Sequence, residues 1–333
     1  MSSSSEIGII GGGAWGTALA IVAARNGHNV LLWARETETV AAINNHRENK
    51  IFLPGIALDP RIRATGRFAD LASCGIILLV APAQHTRAVC RQLASALGSR
   101  KALIIVCAKG IEQETLTLPG EIVASELRDH PLAVLSGPSF AAEVARGLPT
   151  ALTFATRNSS QCEPALHALS GKSFRLYLSD DVTGAQIGGA VKNVLAVACG
   201  VVAGRNMGDN ARAALITRGL AEMTRLGVAL GGRAETLMGL SGLGDLALTC
   251  SSMQSRNMSL GAELGQGKKL ADILGARAGV TEGVATAAAA LALAKKHNVE
   301  MPITEAVDAI LNKGAVIEST IDSLLGRPLK TER

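Results

Sequence analysis

The feature that most constrains this chain is the run Ile7-Gly8-Ile9-Ile10-Gly11-Gly12-Gly13-Ala14-Trp15-Gly16-Thr17-Ala18. Its apolar start reads as a buried strand, its consecutive glycines as a tight turn, and its alanine-rich end as the opening of a helix. In the spacing Gly11-x-Gly13-x-x-Gly16, the first glycine permits the turn and the second lets backbone approach a pyrophosphate. The third lets the helix pack closely on the strand. Free amides at the helix start attract the phosphate charge. The spacing alone is common, and a flexible glycine turn would satisfy it. Its position after a strand, at the head of a βαβ unit, makes it specific.

The end of the second strand bears on which dinucleotide is bound. A carboxylate there binds a ribose 2′-hydroxyl, whereas an arginine receives a 2′-phosphate. This chain reads Leu32-Trp33-Ala34-Arg35-Glu36. Arg35 favours NADP(H), and the adjacent Glu36 leaves NAD(H) open. A solvated loop arginine is the plain alternative.

Short β-branched runs alternate with helical patterns through the first half. Strands are expected at 6–10, 29–33, 76–81, 102–108, 132–136, 150–155 and 174–178, with helices at 14–25, 86–97 and 119–128. Uninterrupted apolar runs such as 76–80 and 102–106 suit a parallel sheet covered on both faces. From Asp181 onward the pattern turns helical, at about 183–204, 210–230, 257–265, 282–297 and 303–313, around a glycine-rich loop at 239–245. The 333 residues allow about two domains. The expected fold is α/β: a doubly wound Rossmann-type sheet over 6–180, followed by an all-α domain over 181–330.

Composition excludes several classes. Aromatics are only 2% of the chain, so small aliphatic side chains must do the packing, which favours close helix contacts. A net charge of +5 comes without a dense Lys/Arg block, which argues against nucleic acid. The histidines and cysteines (Cys74, Cys90, Cys107, Cys162, Cys199, Cys250) are scattered and show no metal-ligand spacing. Most of the cysteines sit in apolar runs, as reduced core thiols do. Met1–Ser5 is a short polar tail, and no uninterrupted apolar run approaches roughly 18 residues. A cytoplasmic protein without membrane insertion is expected.

Ligands of doubly wound sheets sit outside the carboxyl ends of the strands. Lys109 and the turn Gly137-Pro138-Ser139 each follow a strand directly, so both should share the edge of the glycine loop. Lys192-Asn193 interrupts an apolar helix (Gly188 to Val197), with glycine or apolar residues three and four positions to either side of Lys192. A buried ammonium is costly, so Lys192 should have a lowered pKa, a specific partner or a part in proton transfer. Reaching the surface by its long stem is the alternative. A third cluster combines the Asp245-bearing loop Ser241–Thr249 with Ser255-Arg256-Asn257. There Ser255 can cap a helix and Arg256 offers paired donors to an oxyanion.

Taken together, these stretches resemble the bacterial-type NAD(P)-dependent glycerol-3-phosphate dehydrogenases. The likeness runs through Gly11–Ala18, Leu32–Arg35, Ala108–Glu112, Leu135–Ala141, Gly189–Asn193, Gly242–Leu246, Ser255–Asn257 and Val280–Gly283, which is nearly the whole chain in order. The resemblance implies reversible reduction of dihydroxyacetone phosphate to sn-glycerol 3-phosphate for phospholipid synthesis. It also implies an all-helical second domain like that of 6-phosphogluconate dehydrogenase. Lys192 matches the proton donor and acceptor. Lys109, Gly137, Ser139, Lys192, Asp245, Ser255, Arg256 and Asn257 match substrate positions, with Arg256 facing the phosphate. Gly11, Gly13, Ala14, Trp15, Gly16, Arg35, Lys109, Ala141, Arg256, Val280 and Glu282 match the cofactor's surroundings. No metal is implied; the partner is a small phosphorylated molecule, and a homodimer is compatible. One departure stands out: Ala203 occupies the family's usual acidic position before Gly204, which would alter support around Lys192. The rival readings are a 3-hydroxyisobutyrate or 6-phosphogluconate type of dehydrogenase, and a non-catalytic dinucleotide sensor.

Overall fold

The computed structural model describes residues 6–277 and 279–328; the tail Met1–Ser5 lies outside them. Eight strands form one sheet in the order β10-β9-β8-β7-β6-β1-β2-β5. These are β1 (Ile7–Ile10), β2 (Val30–Trp33), β5 (Ile62–Thr65), β6 (Ile76–Leu79), β7 (Leu103–Val106), β8 (Leu132–Ser136), β9 (Thr150–Ala155) and β10 (Phe174–Ser179). A separate two-stranded antiparallel hairpin, β3 (Glu48–Asn49) and β4 (Leu53–Ala57), stands between β2 and β5 in the chain.

The chain leaves β1 toward β2 and β5, then returns to place β6 on the other side of β1. That reversal opens a crevice at the carboxyl ends of β1 and β6, where doubly wound sheets take ligands. The central strands β1, β6 and β7 are buried along their whole length, as their apolar sequences demand. All strand pairs are parallel except β8 with β9, so the sheet is mixed and not uniformly parallel.

Beyond β10 the described residues contain helices only, and the expected α/β sheet followed by an all-helical region is what the chain forms. Helix Val182–Gly204 is the axle of this region, and 18 of its residues are buried, from Gly184 to Val202. By length and hydropathy it passes as a membrane span, yet 89% of its most apolar window is covered by the rest of the molecule. It packs against helix Arg256–Gly265 without aromatic residues. A Cβ on Gly200 would lie 2.1 Å from the Met258 carbonyl, and one on Gly261 would lie 2.1 Å from that of Val197. Glycine at the crossing thus brings two backbones into contact, which answers the scarcity of large side chains.

The structure departs from expectation where polar or proline-bearing sequence folds. β5, the β3–β4 hairpin and helix Ser159–Leu169 were not anticipated; the last carries Pro164 inside it. The stretch at 239–245 is helical, a π-turn over Leu240–Gly244 leading into helix Asp245–Cys250. Ala203 lies eleven residues beyond Lys192 on one helix, about 16 Å along its axis. The exchange therefore does not touch the support of Lys192, and neighbouring Arg205 instead pairs with Glu318.

Candidate active site

At the head of the crevice, Gly11 takes a φ of +130°, and a Cβ there would lie 3.0 Å from the Val80 carbonyl carbon after β6. Helix Ala14–Arg25 begins at Gly13 with no side-chain cap and no acidic residue in its first turn. Its opening amides are not answered by any side chain, and the helix dipole adds partial positive charge there. A Cβ on Gly16 would fall 1.9 Å from the Gly11 carbonyl, whereas one on Gly13 would meet nothing within 4 Å. Gly16 is required for packing within the protein. Gly13 faces open space, as a surface that admits a pyrophosphate should.

Arg35 lies just past β2, and its guanidinium pairs with Glu36 at 2.9 Å, with its side chain 78% exposed. The arginine and the carboxylate that the sequence offers past the second strand are therefore paired with one another. Trp15 is half-buried against the core below the loop, with a buried indole N–H that has no partner among the described residues.

The charged centre is assembled from the carboxyl edge of the sheet and the axle helix. Asp245, wholly buried, accepts from the Lys192 ammonium at 2.5 Å through Oδ1 and from Lys109 at 2.7 Å through Oδ2. Lys192 also donates to Thr249 Oγ1 at 2.9 Å. Lys109 donates to the Gly137 carbonyl at 2.9 Å. Burial of Lys192 in an apolar helix favours its neutral form, and Lys109 adds repulsion against the pull of Asp245. The result is a lysine brought down to about 8. Gly189 makes the approach feasible, since a Cβ there would strike Ser136 Oγ at 2.7 Å and the Lys109 stem at 3.3 Å.

A buried amide chain ties this centre to the helices behind it. Asn193 donates to the Lys109 carbonyl at 3.2 Å and accepts from Asn257 Nδ2 at 2.9 Å; Asn257 Oδ1 accepts from the Gly283 amide at 2.9 Å. Both polar ends of Asn257 thus have a partner within the protein, which leaves one Nδ2 hydrogen and the main-chain amide for a ligand. Ser255 caps helix Arg256–Gly265 through the Met258 amide. Among the described residues Arg256 has no hydrogen-bond or ion-pair partner for its guanidinium, which lies beside Gly279. Glu282 accepts from the Ala83 amide at 3.0 Å across the sheet–helix boundary, and its second oxygen is buried without a partner among the described residues. Burial holds this carboxyl above the usual range. Ser139 donates to the Gly137 carbonyl at 3.0 Å, Ala141 opens helix Ala141–Ala145, and Val280 is exposed.

Sequence reasoning picked out Lys109, Lys192 and Asp245, and the structure brings all three together. It passed over Thr249, Asn193 and Ser136 as contributors. Thr249 carried a usable signal, because it stands four residues after Asp245 and shares its helix face. Asn193, beside Lys192, was visible only as a second polar residue in an apolar helix.

A glycine loop at the switch point of a doubly wound sheet, faced by an acid-bridged lysine pair from a helical region, is the architecture of dinucleotide-dependent dehydrogenases. Comparison with known proteins narrows the class. Residues 6–162 match the N-terminal part, and residues 181–322 the C-terminal part, of the NAD-dependent glycerol-3-phosphate dehydrogenases. The chain belongs to that family. It is 55% identical to the glycerol-3-phosphate dehydrogenase [NAD(P)+] of Parvibaculum lavamentivorans over 98% of both chains. It is also 55% identical to that of Caulobacter vibrioides over the same shares. The crystal structure of glycerol-3-phosphate dehydrogenase from Coxiella burnetii superposes with a TM-score of 0.94 at 40% identity, covering 97% of this chain and 99% of that one.

Proposed function

We propose that this chain interconverts dihydroxyacetone phosphate and sn-glycerol 3-phosphate with NADP(H), NAD(H) also serving, and supplies glycerol 3-phosphate for phospholipid synthesis. The observation that carries the reading is one buried carboxylate, Asp245, shared between two lysines beyond the carboxyl edge of the sheet. Residues 6–180 would form the dinucleotide-binding domain and 181–330 the domain that completes the substrate site. The six free, buried cysteines suit a reducing cytoplasm.

The open side of Gly13, the uncapped amides after it and Arg35 fit a dinucleotide. Trp15, Ala141, Val280 and Glu282 would line the site around it. When bound, the nicotinamide supplies hydride to the carbonyl carbon. Lys192, near neutrality at about 8, gives its proton to the carbonyl oxygen and recovers it in the reverse direction. Lys109 steadies the developing oxyanion and lowers the proton affinity of Lys192. Asp245 and Thr249 fix the direction of the Lys192 ammonium. Arg256 and the amides of Arg256 and Asn257 receive the phosphate at the helix start that Ser255 caps. Ser139 and Gly137 border the substrate on the sheet side. Phosphate binding away from the reacting carbon then orients the ketone.

The test is nicotinamide absorbance during dihydroxyacetone phosphate reduction by the wild type and by Lys192→Ala. The expected result is turnover in the wild type and a loss on the order of a thousandfold in the variant, with NADPH binding kept. No wild-type turnover, or an unchanged rate in the variant, would refute the reading.

A further inference from the structure

We infer that Asn49, on the hairpin beside the sheet, is a positioning residue that aims the amides of the glycine loop at the dinucleotide. The inference rests on the loop being the cofactor's pyrophosphate site. Asn49 is 1% exposed, and its side-chain amide donates twice, to the Gly12 carbonyl and to Thr17 Oγ1, both at 2.8 Å. Thr17 Oγ1 in turn donates to the Gly13 carbonyl at 2.9 Å. The remaining oxygen of Asn49 accepts from the Phe52 amide in the hairpin turn at 3.3 Å.

Two successive loop carbonyls are thereby held inward, one directly and one through Thr17. In a trans peptide the C=O and N–H point to opposite sides. Holding the carbonyls of Gly12 and Gly13 inward turns the amides of Gly13 and Ala14 outward, on the side where Gly13 meets no protein atom. The hairpin is shaped for this contact. Its pairing register shifts between Glu48 and Asn49, and irregularities of this kind re-aim a side chain out of the regular alternation. The rest of the hairpin is secured independently, by Glu48 on the Gly55 amide and Arg47 on the Ile62 carbonyl. The amide nitrogen of Asn49 is thus spent on the loop, while its oxygen holds the hairpin turn.

The experiment compares Asn49→Asp, which keeps shape and loses both donors, with wild type in steady-state kinetics and in NADPH titration by tryptophan fluorescence. The dissociation constant and KM for NADPH should each rise about tenfold, the effect of losing two hydrogen bonds. The KM for dihydroxyacetone phosphate and kcat at saturating NADPH should stay within about twofold. Thr17→Val should raise the NADPH KM a few-fold and Thr17→Ser should not, which also serves if Asn49→Asp does not fold. An unchanged NADPH KM in folded Asn49→Asp, a comparable loss in all four parameters, or equal values for the two Thr17 variants would overturn the inference. If wild type binds NADPH but does not reduce dihydroxyacetone phosphate, the substrate assignment fails while the binding series still decides the role of Asn49. If wild type binds no NADPH, the cofactor site and this inference fall together.

Discussion

The glycine loop and the lysine cluster are built by opposite means. The loop is a continuous stretch that presents main-chain amides, and the absence of side chains shapes it. The cluster is made of side chains from distant segments, Lys109 lying 136 residues and Lys192 53 residues from the Asp245 that joins them. A site made of backbone is sensitive to added volume, because an atom can enter only where the chain leaves room. A site made of buried charges is sensitive to balance, because each removed partner leaves the others desolvated and uncompensated.

The sharpest way to break that comparison is Asp245→Asn, which preserves volume and removes the shared charge. Reduction should slow by about a hundredfold or more. Asp245 raises the proton affinity of Lys192 while burial and Lys109 lower it, so losing the carboxylate lowers the pKa further. Wild-type reduction needs protonated Lys192 and should fall as pH rises through about 8; in the variant that descending limb should move to lower pH. A limb that stays in place or moves upward would separate the carboxylate from the lysine.

A smaller effect is expected from volume added to the loop. Gly16→Ala places a methyl 1.9 Å from the Gly11 carbonyl and should cost about 1–3 kcal/mol of stability, read as a lowered Tm. Gly13→Ala meets no protein atom, so its Tm should match wild type while its NADPH KM rises several-fold. If Gly13→Ala bound NADPH as wild type does, the open side would not be the phosphate side.

Arg35→Ala should have the smallest effect. Its side chain is 78% exposed and shared with Glu36, so its charge is heavily screened. The KM for NADPH should rise a few-fold and that for NADH should not; an equal change with both would remove Arg35 from the choice of cofactor.

The loop was legible because its requirements are local. Gly11, Gly13 and Gly16 occupy positions dictated by a turn, an open face and a close contact within six residues, and such requirements leave their mark on neighbouring positions. Of the cluster the residues themselves showed only types, a lysine in an apolar helix, a lysine at a strand end and an aspartate after glycines, and the resemblance alone put the three at one substrate site. That one carboxylate would bridge both lysines depends on where helix Val182–Gly204 lies against the sheet. The hairpin that carries Asn49 was not anticipated, since Glu48 and Asn49 form a two-residue strand with an irregular register, too short to show an alternation. Asn257 was expected to face the substrate, and its side chain also bonds Asn193 and the Gly283 amide. Nothing in the residues around Asn257 marks those partners.

By itself the sequence determined seven of the eight strands of the main sheet, the turn from sheet to helices after β10, the dinucleotide-type loop and the polar residues that could carry chemistry. Each of these follows from short-range periodicity or from the steric needs of a few adjacent residues. The tertiary structure alone decided which polar groups meet: the Asp245 bridge, the Asn193–Asn257–Gly283 chain and the grip of Asn49 on the glycine loop. Those contacts form between residues far apart in the chain, where hydrogen-bond geometry accepts only a few tenths of an ångström of error. No local pattern encodes such distances; the packing of helices through glycine contacts against the sheet does.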